Sequence, residues 1–368
     1  MHAIFLYNPA VVQFDYGRDH PFRLERMRLT EYVCRTLGWF EGDGIEQRSF
    51  DPADADDLTP AHDSAYLDVL AAAGDGLRMP GMAGFGLASG DNPVFSGIWD
   101  YVLHTAGGSL AGASLVLSGE TMRAFHPGGG LHHALRRRAS GFCYVNDVVL
   151  AIDRMVGEER RVFYLDLDAH HGDGVQDAFV DSDRVLTLSV HQDGRTLFPG
   201  SGFILDSGRG AGSGYAVNVP LLPHMGDAEY RLVWDEIIEP LHHAFRPDLI
   251  VTELGADALR GDPLANLDLS LHGWWDLMQR IASWETPWLA VGGGGYDVGN
   301  ALRAWSLAWG AMIGRDAPDA LPPPPDRVEW PRDLWSAPIP AMEHAPSQEA
   351  IRAIIEQVKA RVFAIHGL

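Results

Sequence analysis

Only two cysteines, Cys34 and Cys143, occur in 368 residues. Two thiols cannot build a disulfide framework or a cysteine-based zinc site, so a reducing compartment is the expectation. Lysine is scarcer still. Lys359 is the single one, and codon bias toward arginine explains that more simply than function does. Positive charge is short overall, with 28 Lys and Arg against 50 Asp and Glu, a formal charge of −22 and a pI near 5.0. That balance argues against nonspecific binding to nucleic acid or to anionic membranes, and it suits an enzyme that meets cationic protein segments. No apolar run reaches membrane-spanning length. The opening MHAIFLYNPA lacks a basic stretch followed by a long apolar one, so a cytoplasmic protein is expected. What remains is ordinary: 46% hydrophobic and 21% charged residues, enough for a soluble globular protein with a sizeable core.

Periodicity predicts a helix over 21–37, with Phe22, Leu29, Val33 and Leu37 on one stripe, and another over 63–73. The Gly-, Met- and Pro-rich stretch 74–93 reads as a long loop, and a small-residue helix follows over 94–117. Strands are predicted at 2–7, 161–167, 185–190, 215–219, 248–253 and 288–291. Helices are predicted at 145–156, 174–180, 227–245, 271–283 and 301–313. Short apolar strands alternating with helices imply a single α/β domain, 1–368, around a mostly parallel sheet. The proline-rich segment 316–340 reads as a wrapping segment, and 347–366 as a last helix. In such sheets ligands bind at the carboxyl ends of strands. The polar motifs cluster there, after Leu165, Val190, Val251 and Val291.

The densest of these is Tyr164–Gly174, YLDLDAHHGDG, which delivers Asp166, Asp168, His170, His171 and Asp173 in eight residues. Side chains alternate along a strand, so Asp168 and His170 project to one side. A carboxylate and an imidazole placed together suit a borderline metal such as zinc. The plain alternative is a polar turn with helix-capping aspartates, but so many ionisable groups beside an apolar strand need partners. Asp257, after the strand at 248–253, would complete an Asp–His–Asp set. His132 and His133 follow Gly128–Gly130 in a loop, and Asp166 and Asp173 remain free to orient two imidazoles. His242 and His243, on a helix, read as structural or exposed, and His171 as structural.

The motifs FDYGRDHPFRLERMRL (14–29), GDNPVFSGIWDY (90–101), GGLHHA (129–134), SGFCYVND (140–147), DLDAHHGDGV (166–175), LFPGSG (197–202), GADALRGDPL (255–264) and GGGGY (292–296) occur in order. In this the chain resembles the zinc-dependent histone deacetylase family, and most of all its bacterial acetoin-utilisation and class I members. The resemblance implies an arginase/deacetylase fold with a sheet of about eight strands. It implies zinc on Asp168, His170 and Asp257, and tandem catalytic His132 and His133 partnered by Asp166 and Asp173. Tyr296 would hydrogen-bond the substrate carbonyl. Gly141, Phe142 and Phe198 would wall an acyl-lysine tunnel, with Leu264 and Asp91 at its rim. It also implies potassium near Asp166, Asp168, His170, Ser189 and Val190, and a second potassium near Phe179, Val185 and Tyr215. Glu253 departs from the glutamine usual in class I members.

Two carboxylate ligands formally cancel the charge of a zinc ion, so such a site needs a general base, and His133 is the expected one. His132 or His133 would later protonate the leaving amine. The expected activity is removal of acetyl or another acyl group from protein lysines, acetyl-CoA synthetase being the target tied to the acetoin-utilisation branch. Deacetylation of polyamines is the enzymatic rival, and the apolar Leu264 argues against it. A two-manganese ureohydrolase would want a second D-x-D cluster. A noncatalytic acyl-lysine reader would be expected to lack a ligand, a histidine or Tyr296.

Overall fold

The computed structural model describes residues 2–77, 79, 81–325, 330, 333–335 and 348–368. Eight strands form one sheet in which every pairing is parallel: β1 (Ala3–Leu6), β2 (Ile45–Arg48), β3 (Arg123–His126), β4 (Val162–Asp166), β5 (Val185–Gln192), β6 (Ala216–Leu221), β7 (Leu249–Glu253) and β8 (Trp288–Val291). Their spatial order is β2-β1-β3-β8-β7-β4-β5-β6. All strands but β2 are buried along their whole length, as continuous apolar runs in a covered parallel sheet should be.

Side-chain alternation sends neighbouring residues of β1 to opposite layers. Phe5 meets Trp309 edge to face at 5.3 Å, while Leu6 reaches Gly112 on the other side. Trp309 belongs to α9 (Val298–Met312), which packs with α1 (Glu25–Thr36) and α8 (Leu271–Ser283). Gly112 belongs to α3 (Ile98–Leu117), which packs with α2 (Ser64–Gly74) and α4 (Asp147–Gly157). Side-chain caps open the helices that matter for the site. Asn146 accepts from Val149 N, Ser270 from Gly273 N and Asp297 from Asn300 N. Helix α5 (Asp173–Phe179) starts on a residue of the densest motif. Near the last strands lie α6 (Asp227–Val233), α7 (Glu239–Phe245) and α10 (Gln348–His366), the last of which packs on β6.

The departures from expectation have local causes. β2 (IEQR) lies at the sheet edge and is polar, so it carries no apolar run. β3 has four residues and opens on Arg123, which is buried because Nη1 donates to Met312 O at 2.6 Å and Nη2 to Ala282 O. The helix read as 227–245 is interrupted by a wider, π-type turn at Trp234–Ile238, next to Pro240, which has no backbone N–H to donate. The helix α3 begins at Ile98 rather than 94, and the loop before it contains a short turn of helix at Met82–Phe85. Residues 326–329, 331, 332 and 336–340 of the wrapping segment lie outside the described residues, as does residue 347.

Candidate active site

The loops after β3, β8, β7 and β4, four adjacent central strands, converge at one end of the sheet. After β3 the chain runs through Gly128–Gly130 to the two histidines, and Asn146 and Asp147 pin this loop. The Asp147 carboxylate, fully buried, accepts from Gly130 N (3.0 Å), Leu131 N (2.8 Å) and Ser109 Oγ (2.5 Å). The Asn146 amide donates to His132 O (3.1 Å) and Ala134 O (3.0 Å). So held, His132 Nδ1 donates to Asp166 Oδ2 at 2.9 Å and His133 Nδ1 to Asp173 Oδ1 at 2.7 Å. Tyr164 Oη also donates to Asp166 Oδ2 (2.7 Å), and Asp168 N to its Oδ1 (3.1 Å), which fixes the orientation of that carboxylate.

The two Nε2 atoms lie 3.0 Å apart. Since each ring has spent its Nδ1 proton on an aspartate, a hydrogen bond between them requires one ring to be cationic. The electrostatics choose His132. Burial opposes its charged form, but Glu253, Asp166 and Asp168 outweigh that and hold its pKa well above the usual imidazole value. Burial and the neighbouring His132 push His133 down to about 4. A neutral imidazole thus stands beside a cationic one.

Asp168, His170 and Asp257 bring ligand atoms within 4.8 Å of one another, all buried. His170 Nδ1 is 3.1 Å from Asp168 Oδ1 and 3.0 Å from Asp257 Oδ2. Backbone amides orient both carboxylates: Gly294 N donates to Asp168 Oδ2 (2.6 Å) and Ala169 N to Asp257 Oδ1 (2.8 Å). A Cβ on Gly255 would stand 2.1 Å from Asp168 Oδ2, and one on Gly294 2.0 Å from Asp257 Oδ2, so only glycine lets these strand ends close around the carboxylates. Burial opposes a charge on His170, yet Asp168 and Asp257 raise it to about 10; burial and Asp168 raise Asp257 to about 7. A cluster that holds extra protons is one from which a cation displaces them. Two carboxylates and one imidazole are ligand types that a divalent metal ion takes. His132, Asp168 and Glu253 also gather within 4.8 Å, but His132 Nδ1 is already engaged by Asp166.

Around this centre stand the aromatic residues. Tyr296 is half-buried, and its ring packs edge to face on Phe142 at 5.6 Å and on His170 at 6.2 Å. Phe198 packs on His133 at 5.0 Å and remains 42% exposed, which puts it at the mouth. Gly141 adopts φ +51°, and a Cβ there would meet both His133 and Phe198. One carboxylate absent from the expectations, Asp262, accepts from Tyr296 N (2.7 Å) and Leu264 N (2.9 Å), tying the tyrosine to the rim. Asp91 is exposed, and its carbonyl lies 3.2 Å from His20 Nε2.

Residues 20–312 match the family model described as the histone deacetylase domain. The chain belongs to the histone deacetylase family. It is 37% identical over 332 residues to the acetoin utilization protein AcuC of Bacillus subtilis, covering 87% of this chain and 84% of that one. It is 37% identical over 310 residues to the histone deacetylase RPD3 of Saccharomyces cerevisiae, covering 84% and 71%. It is 34% identical over 324 residues to the human histone deacetylase 1, covering 86% and 66%. Histone deacetylases are generally zinc-dependent, and the buried cluster could hold such an ion.

Against this histone deacetylase background Glu253 stands out. It is wholly buried at the end of β7, its Oε1 lies 3.5 Å from His132 Nδ1, and neither oxygen has a hydrogen-bond partner among the described residues. Burial, with Asp166 and Asp168 adding to it, pushes its pKa well above the carboxylate range, against the pull of His132. The first potassium set falls on facing positions, Asp166 of β4 pairing with Ser189 of β5. Of the second set, Val185 opens β5, Tyr215 directly precedes β6 and Phe179 ends α5, so the first two lie at the opposite end of the sheet. His171 lies between Ser201 Oγ (2.9 Å) and Gln176 Oε1 (3.1 Å), and His242 stacks on Trp284 at 3.9 Å, both structural placements. No helix among the described residues is long and apolar enough to cross a membrane.

Proposed function

We propose that this histone deacetylase family member hydrolyses the amide of acyl-lysine side chains in proteins, acetyl-lysine first among them. The observation that carries the reading is the split pair, a neutral His133 and a cationic His132, set directly beside the Asp168–His170–Asp257 ligand cluster. Bound by those three residues, a zinc ion would polarise the acyl carbonyl and acidify water. His133, with Asp173 behind its Nδ1, is the base that takes the proton of the attacking water at Nε2, once that atom has given up the hydrogen bond it accepts from His132. His132 keeps its proton in reserve. Once His133 is protonated, the two rings together hold a proton for the leaving amine. The Tyr296 hydroxyl, carried on a ring that packs against His170 of the ligand cluster, donates to the oxyanion that forms at the carbonyl. Phe142 and Phe198 enclose the alkyl stem, and Asp91 and Leu264 form the rim.

Potassium at the Asp166–Ser189 set would brace the strand ends that carry the ligands. Leu264, apolar and half-buried at the rim, supports a single-ammonium substrate over a polyamine with a second cation to place. The test is a panel of fluorogenic peptides bearing acetyl-lysine and longer acyl-lysines, run beside acetylspermidine and acetylputrescine, with acetylated acetyl-CoA synthetase as the protein substrate. Higher kcat/KM on the peptides supports the reading; preference for the acetylpolyamines overturns it.

A further inference from the structure

Beside the tunnel mouth lies a second depression of about 320 Å³, at the small end of the range of ligand pockets. Ser89, Asp91, Arg138 and Ser140 are among its lining, and Gly141 and Phe198 are shared with the mouth. On the acyl-lysine reading it is within reach of the residue next to an inserted acyl-lysine. Its one cation is Arg138, the last of three consecutive arginines.

The other two are occupied. Arg136 Nε lies 2.7 Å from one oxygen of Asp63, and Arg137 Nε lies 3.1 Å from the other. The exposed Arg138 makes no ion pair or side-chain hydrogen bond among the described residues. Its backbone, by contrast, is held firmly. Leu135 and Arg138 exchange N–H···O bonds in both directions (2.9 and 3.2 Å), and Ala139 N donates to Phe85 O (2.9 Å). The stem thus leaves a pinned strand-like turn at the lining of the depression, so only the side chain, not the backbone, has to be ordered when the guanidinium meets a ligand. In a chain of net charge −22 this is an unspent positive group at the place where substrate enters. Asp91, in the same lining, repels an anion, so an incoming carboxylate is favoured only at Arg138.

We infer that this depression is a subsite for a carboxylate side chain, Asp or Glu, next to the acyl-lysine, read by Arg138. The inference rests on the acyl-lysine reading above and adds a substrate class to it: proteins acylated within acidic sequence. The pair forms near solvent, so its strength is that of a partly exposed Arg–carboxylate contact, roughly three- to tenfold in affinity at low ionic strength. The contact lies outside the reacting centre and is present equally in ground and transition states, so it acts through KM with kcat little changed.

The experiment uses the metal-loaded full chain and acetyl-lysine peptides that differ only in the flanking residue, Glu, Gln or Lys, placed on either side. The expected result is a KM roughly three- to tenfold lower for Glu than for Gln on one side, shrinking as salt is added. With Arg138→Glu the order should reverse in favour of Lys, and with Arg137→Gln the Glu preference should persist. Equal kcat/KM for Glu and Gln peptides, or a Glu preference that survives Arg138→Glu, overturns the subsite alone. Failure of all three peptides while acetylpolyamines are hydrolysed overturns the acyl-lysine reading beneath it.

Discussion

Replacing Gly294 by alanine tests the metal centre by steric means alone. Gly294 does not require a left-handed backbone, so alanine meets no conformational objection, and its N–H can still donate to Asp168. The added Cβ, however, would sit 2.0 Å from Asp257 Oδ2 and 2.8 Å from Asp168 Oδ2. Ordinary contact needs about 3.4 Å or more, so at least one ligand oxygen must retreat by over about 1 Å. Protein metal sites hold their ligand distances to about 0.2 Å, and even indirect disturbance of a ligand typically costs about 10- to 100-fold in affinity. The expected outcome is a loss of zinc affinity of at least that size, with deacetylase activity falling in parallel and being partly restored by excess zinc. Two other glycines calibrate it. Gly157→Ala meets nothing within 4 Å and should bind zinc normally. Gly292→Ala would press on Pro127 O at 2.3 Å, a backbone atom, and should lower thermal stability at least as much as zinc affinity. The assay is elemental analysis after dialysis against graded chelator, with circular dichroism to confirm the fold. A Gly294→Ala protein that keeps zinc as tightly as the parent would refute the assignment of Asp168 and Asp257 as ligands.

Glu253→Gln keeps the shape and removes an acid 3.5 Å from His132. Because burial keeps Glu253 neutral until high pH, its loss should be felt on the alkaline limb of the rate–pH profile, which moves to lower pH once no ionised carboxylate holds up His132; an unchanged profile would show that Glu253 stays neutral throughout. His62 gives a stability prediction. It is buried, with Nδ1 3.1 Å from Leu135 O and Nε2 accepting from Asn146 N, and burial lowers its pKa to about 4. Below its unfolded value near 6.5 the unfolded chain binds the extra proton first. Its stabilising effect is therefore complete above about pH 6.5 and declines as pH falls toward 4, by up to roughly 3 kcal/mol. Urea denaturation between pH 7 and 4.5 should show a shallower decline in His62→Gln, and an equal slope would remove His62 from the account.

The central strands were legible because a covered parallel sheet leaves unbroken apolar runs such as VFYLD and LIVTE. β2 and β3 were not. One is a polar edge, and the other begins with an arginine whose neutralising carbonyls lie 159 to 189 residues away. Within the site, His132, His133, Asp168, His170, Asp257 and Tyr296 were visible as residues of the right chemistry in ordered motifs. The residues that hold them were not. Asp262 reaches Tyr296 across 34 positions, and Asn146 and Asp147 grip the histidine loop only after the loop has folded back upon α4. Glu253 was conspicuous as a departure from family pattern, yet its want of a hydrogen-bond partner is a property of packing that no residue string displays.

The strand order carries a consequence for the timing of activity. β8 is the last strand in the chain, yet it lies in the middle of the sheet and is the sole hydrogen-bonded link between β2-β1-β3 and β7-β4-β5-β6. The tandem histidines follow β3, in the first group, and the ligand residues follow β4 and β7, in the second. Until residues 288–291 insert between them, bringing Tyr296 along, the candidate base and candidate ligands belong to two separate half-sheets. Joining the half-sheets is a long-range step, so on the reading proposed above the centre is complete only when β8 is in place.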